Sequence, residues 1–159
     1  MENLNVYSSP HRATSRTTKN VMLHVIIALV PSIIAAAVIF GARALLLTLV
    51  TTASAVVWEA LCCILMKRKT TIDDLSAVVT GILLALNLPA TLPLWMAAIG
   101  SFIAIAVVKE LFGGLGKNFA NPAIVGRIVL MLSFTSAMTN WVGPFYYKGS
   151  DAVSQSSPL

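Results

Sequence analysis

Twenty residues from Val21 to Phe40 contain no Asp, Glu, Lys or Arg, and His24 is the one titratable side chain among them. As a helix rising about 1.5 Å per residue, such a run matches a hydrocarbon core about 30 Å thick, where backbone N–H and C=O groups must bond within the chain. The run is a membrane helix or a helix buried on all sides. Four further apolar runs decide between these. Ala44 to Met66 is interrupted only by Glu59, Leu75 to Leu88 is short, Leu92 to Val108 is uncharged, and Ala123 to Val142 contains Arg127. With 57% hydrophobic and 11% charged residues, the chain carries more apolar surface than 159 residues can hide from water. The reading is an all-α integral membrane protein. About five transmembrane helices occupy residues 21–142, with a segment 1–20 before them and a polar segment 143–159 after. A cleaved signal peptide is the poorer account of the first run, because it lacks a small-residue cleavage site and more apolar segments follow.

Orientation follows from Lys and Arg in the short loops. Arg12, Arg16 and Lys19 precede the first span, Lys67, Arg68 and Lys69 follow the second, and Lys117 follows the fourth. These seven of the eleven basic residues put the N-terminus of a multi-pass membrane protein on the cytoplasmic side, and residues 143–159 outside. The excess positive charge sits where topology requires it, so nucleic acid is not an expected partner and membrane lipid is.

Most isolated polar residues have a dull and an interesting reading. Cys62 and Cys63 are packing residues, since an iron–sulfur cluster ordinarily takes four thiolates. No metal site is expected, as His11 and His24 stand apart from any carboxylate at ligand spacing. Glu59 and Glu110 mark either an intramembrane pathway or buried pair, or carboxylates reaching the interface from within about two turns of a helix end. Asp73 and Asp74 open the third span, where a carboxylate caps free N–H groups. The stretch "LALNLPATLPLW" is either a tight extracytoplasmic hairpin or an interrupted helix bordering a binding site.

The most informative loop is "FGGLGKNFANPAIVGR", from Phe112 to Arg127. It fails as a Walker loop, with Leu111 at the first glycine position and Asn118 after Lys117, and no strand precedes it as a dinucleotide fingerprint requires. What remains is a cytoplasmic loop with Gly113, Gly114 and Gly116 allowing close backbone approach, and a proline opening the next helix. Asn118 and Asn121 can each donate and accept, which suits the polar edge of a planar heterocycle; equally, they can satisfy backbone groups.

These residues carry a resemblance. "SPH" at Ser9 to His11, "DDLSAVVTGILLALNLP" at Asp73 to Pro89, the loop above and "SFTSAMTNW" at Ser133 to Trp141 resemble the D-subunit family of the Rnf electron-transport complex (RnfD), related to the B-subunit of the sodium-translocating NADH:quinone reductase. The short N-terminus before "SPH" fits the Rnf family better. The resemblance implies a component of a redox-driven ion pump, not an enzyme alone, working between ferredoxin and NAD beside other Rnf complex subunits. It implies FMN joined through its phosphate to an extracytoplasmic hydroxyl by a flavin transferase recognising D-x-x-[ST]-x-x-[ST]. A riboflavin held near the loop of Gly113, Gly114, Gly116, Asn118 and Asn121 is implied by the related quinone reductase family. "DAVSQSS" fits the attachment pattern, with Asp151 and Ser154 as recognition residues and Ser157 as acceptor. Gln155 and Ser156 stand where the family usually has Gly-Ala, and the family's acceptor is more often Thr. Family members run to roughly twice this length as ten-helix inverted repeats, so the chain is expected to be the N-terminal half of a longer protein. Two alternatives remain: a cofactor-free channel or transporter half, and a structural subunit whose flavin site has decayed.

Overall fold

The structure, a computed structural model, describes residues 17–67 and 72–148. All regular elements among them are helical. Helix α1 spans Thr18–Phe40 and is capped by Thr17, whose hydroxyl accepts from Asn20 N–H. Helix α2 spans Ala42–Leu65 after a sharp corner at Gly41, whose φ of 76° favours glycine. A 3₁₀ turn at Ile72–Asp74 leads into the short α3, Ser76–Leu86, which stops at Asn87 before Pro89. Asp74 caps α3 as its sequence position implied: its Oδ1 accepts from Ser76 N–H at 2.8 Å. Helix α4 spans Leu94–Phe102 and continues over Ile103–Glu110 in a widened π register, closed by Leu111 N–H donating to the Ala106 carbonyl.

The fifth apolar run, Ala123 to Val142, is not one helix. Helix α5 spans Pro122–Ser133, the backbone turns out of helical geometry at Phe134, and a single turn, α6, covers Thr135–Met138. The segment beyond returns to the first corner. Phe145 N–H donates to the Ile39 carbonyl at 2.8 Å, Tyr147 Oη to the Val38 carbonyl at 2.7 Å, and the Tyr147 ring lies against Gly41.

Burial is inverted relative to a water-soluble bundle. In α2 the buried stripe is Ala44, Leu47, Thr51, Ala55, Glu59 and Cys63, mostly small or polar, while Leu49, Val57, Ile64 and Leu65 are exposed. Helix α1 has no buried residue, and Ile27, Ile34 and Val38 point outward. Large apolar side chains turned out and small or polar ones turned in is how helices pack when lipid is the solvent. The closest approaches agree with this. A methyl on Gly81 of α3 would lie 2.7 Å from Thr52 Cα of α2, and one on Gly126 of α5 would lie 2.8 Å from the Gly100 carbonyl of α4. Helices α1 and α2 are long and apolar enough to cross a membrane; α3 and α5 are shorter apolar helices.

Candidate functional site

One end of the bundle gathers the start of α1, the end of α2, the start of α3, the π segment and the loop before α5. The widened register matters here because it turns two consecutive residues, Lys109 and Glu110, inward together, and both are buried. Lys109 is 1% exposed and donates through Nζ to Glu59 Oε1 of α2, which is 0% exposed, and to Ser76 Oγ of α3 at 2.6 Å. Glu110 Oε1 lies 3.8 Å from the same Nζ, and Ser76 Oγ donates to Asp74 Oδ1. Three helices are therefore stitched by one ammonium. This corrects the interfacial reading of Glu59 and Glu110: both are buried, with the Lys109 ammonium between helices as their shared cation.

A cleft of about 340 Å³ opens beside this cluster, within the range of roughly 300–1,000 Å³ usual for small-molecule sites. Met22, Val79, Leu83, Leu115 and Pro122 give it apolar walls; Ser76, Thr80, Lys109, Asn118 and Asn121 supply polar groups. Thr80 spends its hydroxyl hydrogen on the Ser76 carbonyl.

The two asparagines singled out in the sequence divide. Asn121 Oδ1 accepts from Ala123 N–H at 3.0 Å and so caps α5, with Pro122 in the first helical turn. Asn118 Oδ1 is buried and has no hydrogen-bond partner. A buried amide oxygen left unbonded costs roughly 1–3 kcal/mol, and Asn118 is among the residues that line the cleft. The glycines serve the loop itself. Gly113 N–H donates to the Glu110 carbonyl and Gly114 N–H to the Lys109 carbonyl, ending the helix, with Gly113, Gly114 and Gly116 all at positive φ. None of the three lines the cleft. Phe112 and Phe119 close the loop edge to face at 4.9 Å.

The other polar features lie apart from the cleft. Arg127 of α5 donates to Asn87 Oδ1 at the end of α3, and Ser54 and Ser101 share a 2.6 Å hydrogen bond between α2 and α4. Cys63 is buried and Cys62 partly so, neither in a disulfide, and no cluster of three or more metal-ligating side chains occurs among the described residues. The attachment motif, with Asp151, Ser154 and Ser157, lies outside the described residues. Sequence reasoning passed over Ser76 and Lys109 as site residues. Lys109 followed by Glu110 inside an apolar run was the available signal.

Comparison with known proteins bears on the same stretches. Residues 5–159 match the NQR2, RnfD, RnfE family. The chain is 45% identical over 157 residues to the D-subunit of the Na(+)-translocating ferredoxin:NAD(+) oxidoreductase complex of Acetobacterium woodii, covering 99% of this chain and 48% of that protein. It is 41% identical over 154 residues to the D-subunit of the proton-translocating ferredoxin:NAD(+) oxidoreductase complex of Clostridium ljungdahlii, covering 97% and 46%. It is 40% identical over 149 residues to the D-subunit of the ion-translocating oxidoreductase complex of Yersinia enterocolitica, covering 92% and 42%. The chain thus spans just under half the length of these relatives. Matched along nearly its whole length, and built as an all-α membrane fold, the chain belongs to the NQR2, RnfD, RnfE family.

Proposed function

We propose that this chain is a flavin-carrying membrane component of a redox-driven, ion-translocating complex of the ferredoxin:NAD oxidoreductase type, with its N-terminus in the cytoplasm. The observation that carries the reading is the cleft, whose lining combines apolar walls with Lys109 and with Asn118, an amide whose oxygen has no partner among the described residues. A flavin ring is planar, apolar on both faces and edged by alternating C=O and N–H groups, and the residues present fit it. Asn118 would hold the polar edge of the ring, and Val79, Leu83, Leu115 and Pro122 would supply apolar contact to its faces. A bound flavin supplies both one-electron and two-electron chemistry, which lets a protein pass electrons between carriers of different kinds.

A second flavin, FMN, is attached to Ser157 through a phosphoester. Asp151 and Ser154 are read by the transferase, and Ser157 supplies the hydroxyl that takes the phosphate. The names of the relatives in Acetobacterium woodii and Clostridium ljungdahlii support ferredoxin and NAD as the terminal reactants, reached through the other subunits of the complex.

Two substitutions in the assembled complex test the two flavins separately. Asn118→Leu should remove acid-extractable flavin while assembly and in-gel fluorescence of this chain persist. Ser157→Ala should abolish the fluorescence and leave the extractable flavin, and Ser157→Thr should retain fluorescence. An unmodified complex with neither extractable nor covalent flavin on this chain refutes the proposal. Extractable flavin without fluorescence favours the decayed attachment site that Gln155 and Ser156 suggest.

A further inference from the structure

The Lys109 ammonium carries three N–H donors. Among the described residues, two of them meet acceptors, Glu59 Oε1 and Ser76 Oγ; the Glu110 oxygen at 3.8 Å is too distant for a hydrogen bond. Lys109 is also the one charged residue in the lining of the cleft, and Ser76, its bonding partner, lies beside it there. Lys109 therefore borders the cleft while its ammonium bonds Glu59 and Ser76, with one donor beyond those two bonds among the described residues. A charge so fully buried is screened little by salt or water, so it acts strongly on whatever sits next to it.

Resting on the flavin reading above, we infer that Lys109 donates its third N–H to the C2 carbonyl on the N1 side of the ring and thereby sets the ring's reduction potential. Reduction places negative charge on that edge of a flavin. Asn118, in the same lining, would hold the neighbouring ring N–H. The ammonium then stabilises the reduced form and shields it from Glu59 and Glu110, which would otherwise repel it. The electrons come from a low-potential iron–sulfur donor in the complex; Lys109 gains and loses none.

The test compares two variants of the purified complex by redox titration of the noncovalent flavin absorbance. Glu59→Gln keeps the ammonium, while Glu59→Gln with Lys109→Met removes both charges of the pair. The double variant should still hold flavin through Asn118, but its preference for reduced over oxidised flavin should fall about tenfold relative to Glu59→Gln, which is about 30 mV for a two-electron couple. An equal potential in the two variants overturns the assignment.

A second measurement needs no substitution. Flavin labelled with ¹³C at C2 and exchanged into the unmodified complex should show a C2 carbonyl stretch well below its value in aprotic solvent. A stretch at the aprotic value overturns the assignment even where the double variant fails to assemble. Noncovalent flavin present with either of those negative results leaves the flavin reading standing and removes Lys109 from it. No noncovalent flavin in the unmodified complex removes both.

Discussion

Gly81→Ala separates backbone packing from side-chain packing in this bundle. The added methyl would meet Thr52 Cα at 2.7 Å, with Ala55 Cβ at 3.2 Å and Thr52 Cβ at 3.3 Å, where carbon atoms prefer about 3.5–4.0 Å. None of these atoms can rotate away, so α2 and α3 must separate. Overpacking of that kind costs about 1–3 kcal/mol, and the helix propensity gained by replacing glycine offsets about 1 kcal/mol, leaving a net loss of up to about 2 kcal/mol. Gly100→Ala is the control. Its methyl would come nearer to a neighbour, 2.5 Å from Leu130 Cδ1, but that atom ends a flexible side chain. Turning Leu130 off its rotamer costs about 0.5–1.5 kcal/mol, which the same propensity gain roughly cancels. Unfolding of the detergent-solubilised chain by increasing mole fraction of sodium dodecyl sulfate, followed by tryptophan fluorescence, reads both. A greater loss from Gly100→Ala than from Gly81→Ala would refute the reasoning, because raw distance and not the freedom of the opposing atom would then decide the cost.

The buried cluster predicts strong non-additivity: Lys109→Met should cost about 3–5 kcal/mol in the same assay because it leaves Glu59 and Glu110 without their cation, and adding Glu59→Ala should recover part of it by removing one of the two stranded charges. Asn121→Ala should lose about 1 kcal/mol of stability as α5 loses its cap, whereas Asn118→Ala should lose none and show its effect only in flavin content. Orientation is checked by cysteine labelling in intact cells. A cysteine at Gly149 should react with an impermeant reagent applied outside, and one at Thr70 should stay protected.

What the sequence disclosed was local. The first three helix bodies fall within three residues of the apolar runs that announced them, because hydropathy and the breakers Gly41, Asn87 and Pro89 act over a few positions. Asp74 as a cap was legible for the same reason. The break at Phe134 was not, since no proline or glycine marks it and Ala123 to Val142 is apolar enough to pass as one span. Nor was the burial of Glu59, which depends on a partner fifty residues away and on a π register that no single residue between Ile103 and Glu110 signals. At the site, the paired asparagines were visible in the loop but their different uses were not. Only the fold shows that Asn121 is taken up by Ala123 N–H and Asn118 left facing the cleft.

The clasp of Phe145 and Tyr147 on the carbonyls of Ile39 and Val38 has a meaning for biosynthesis. It joins positions 109 residues apart, so the far corner of α1 cannot be fastened until Tyr147 has been made. At about 5–20 residues per second, the ribosome needs roughly 5–20 s to supply it. During that interval α1, which has no buried residue, is held among the described residues by contacts of its flank with α2, α3 and the 3₁₀ turn Ile72–Asp74. The first helix into the membrane is thus among the last to be locked, free to shift and tilt while the later helices assemble beside it.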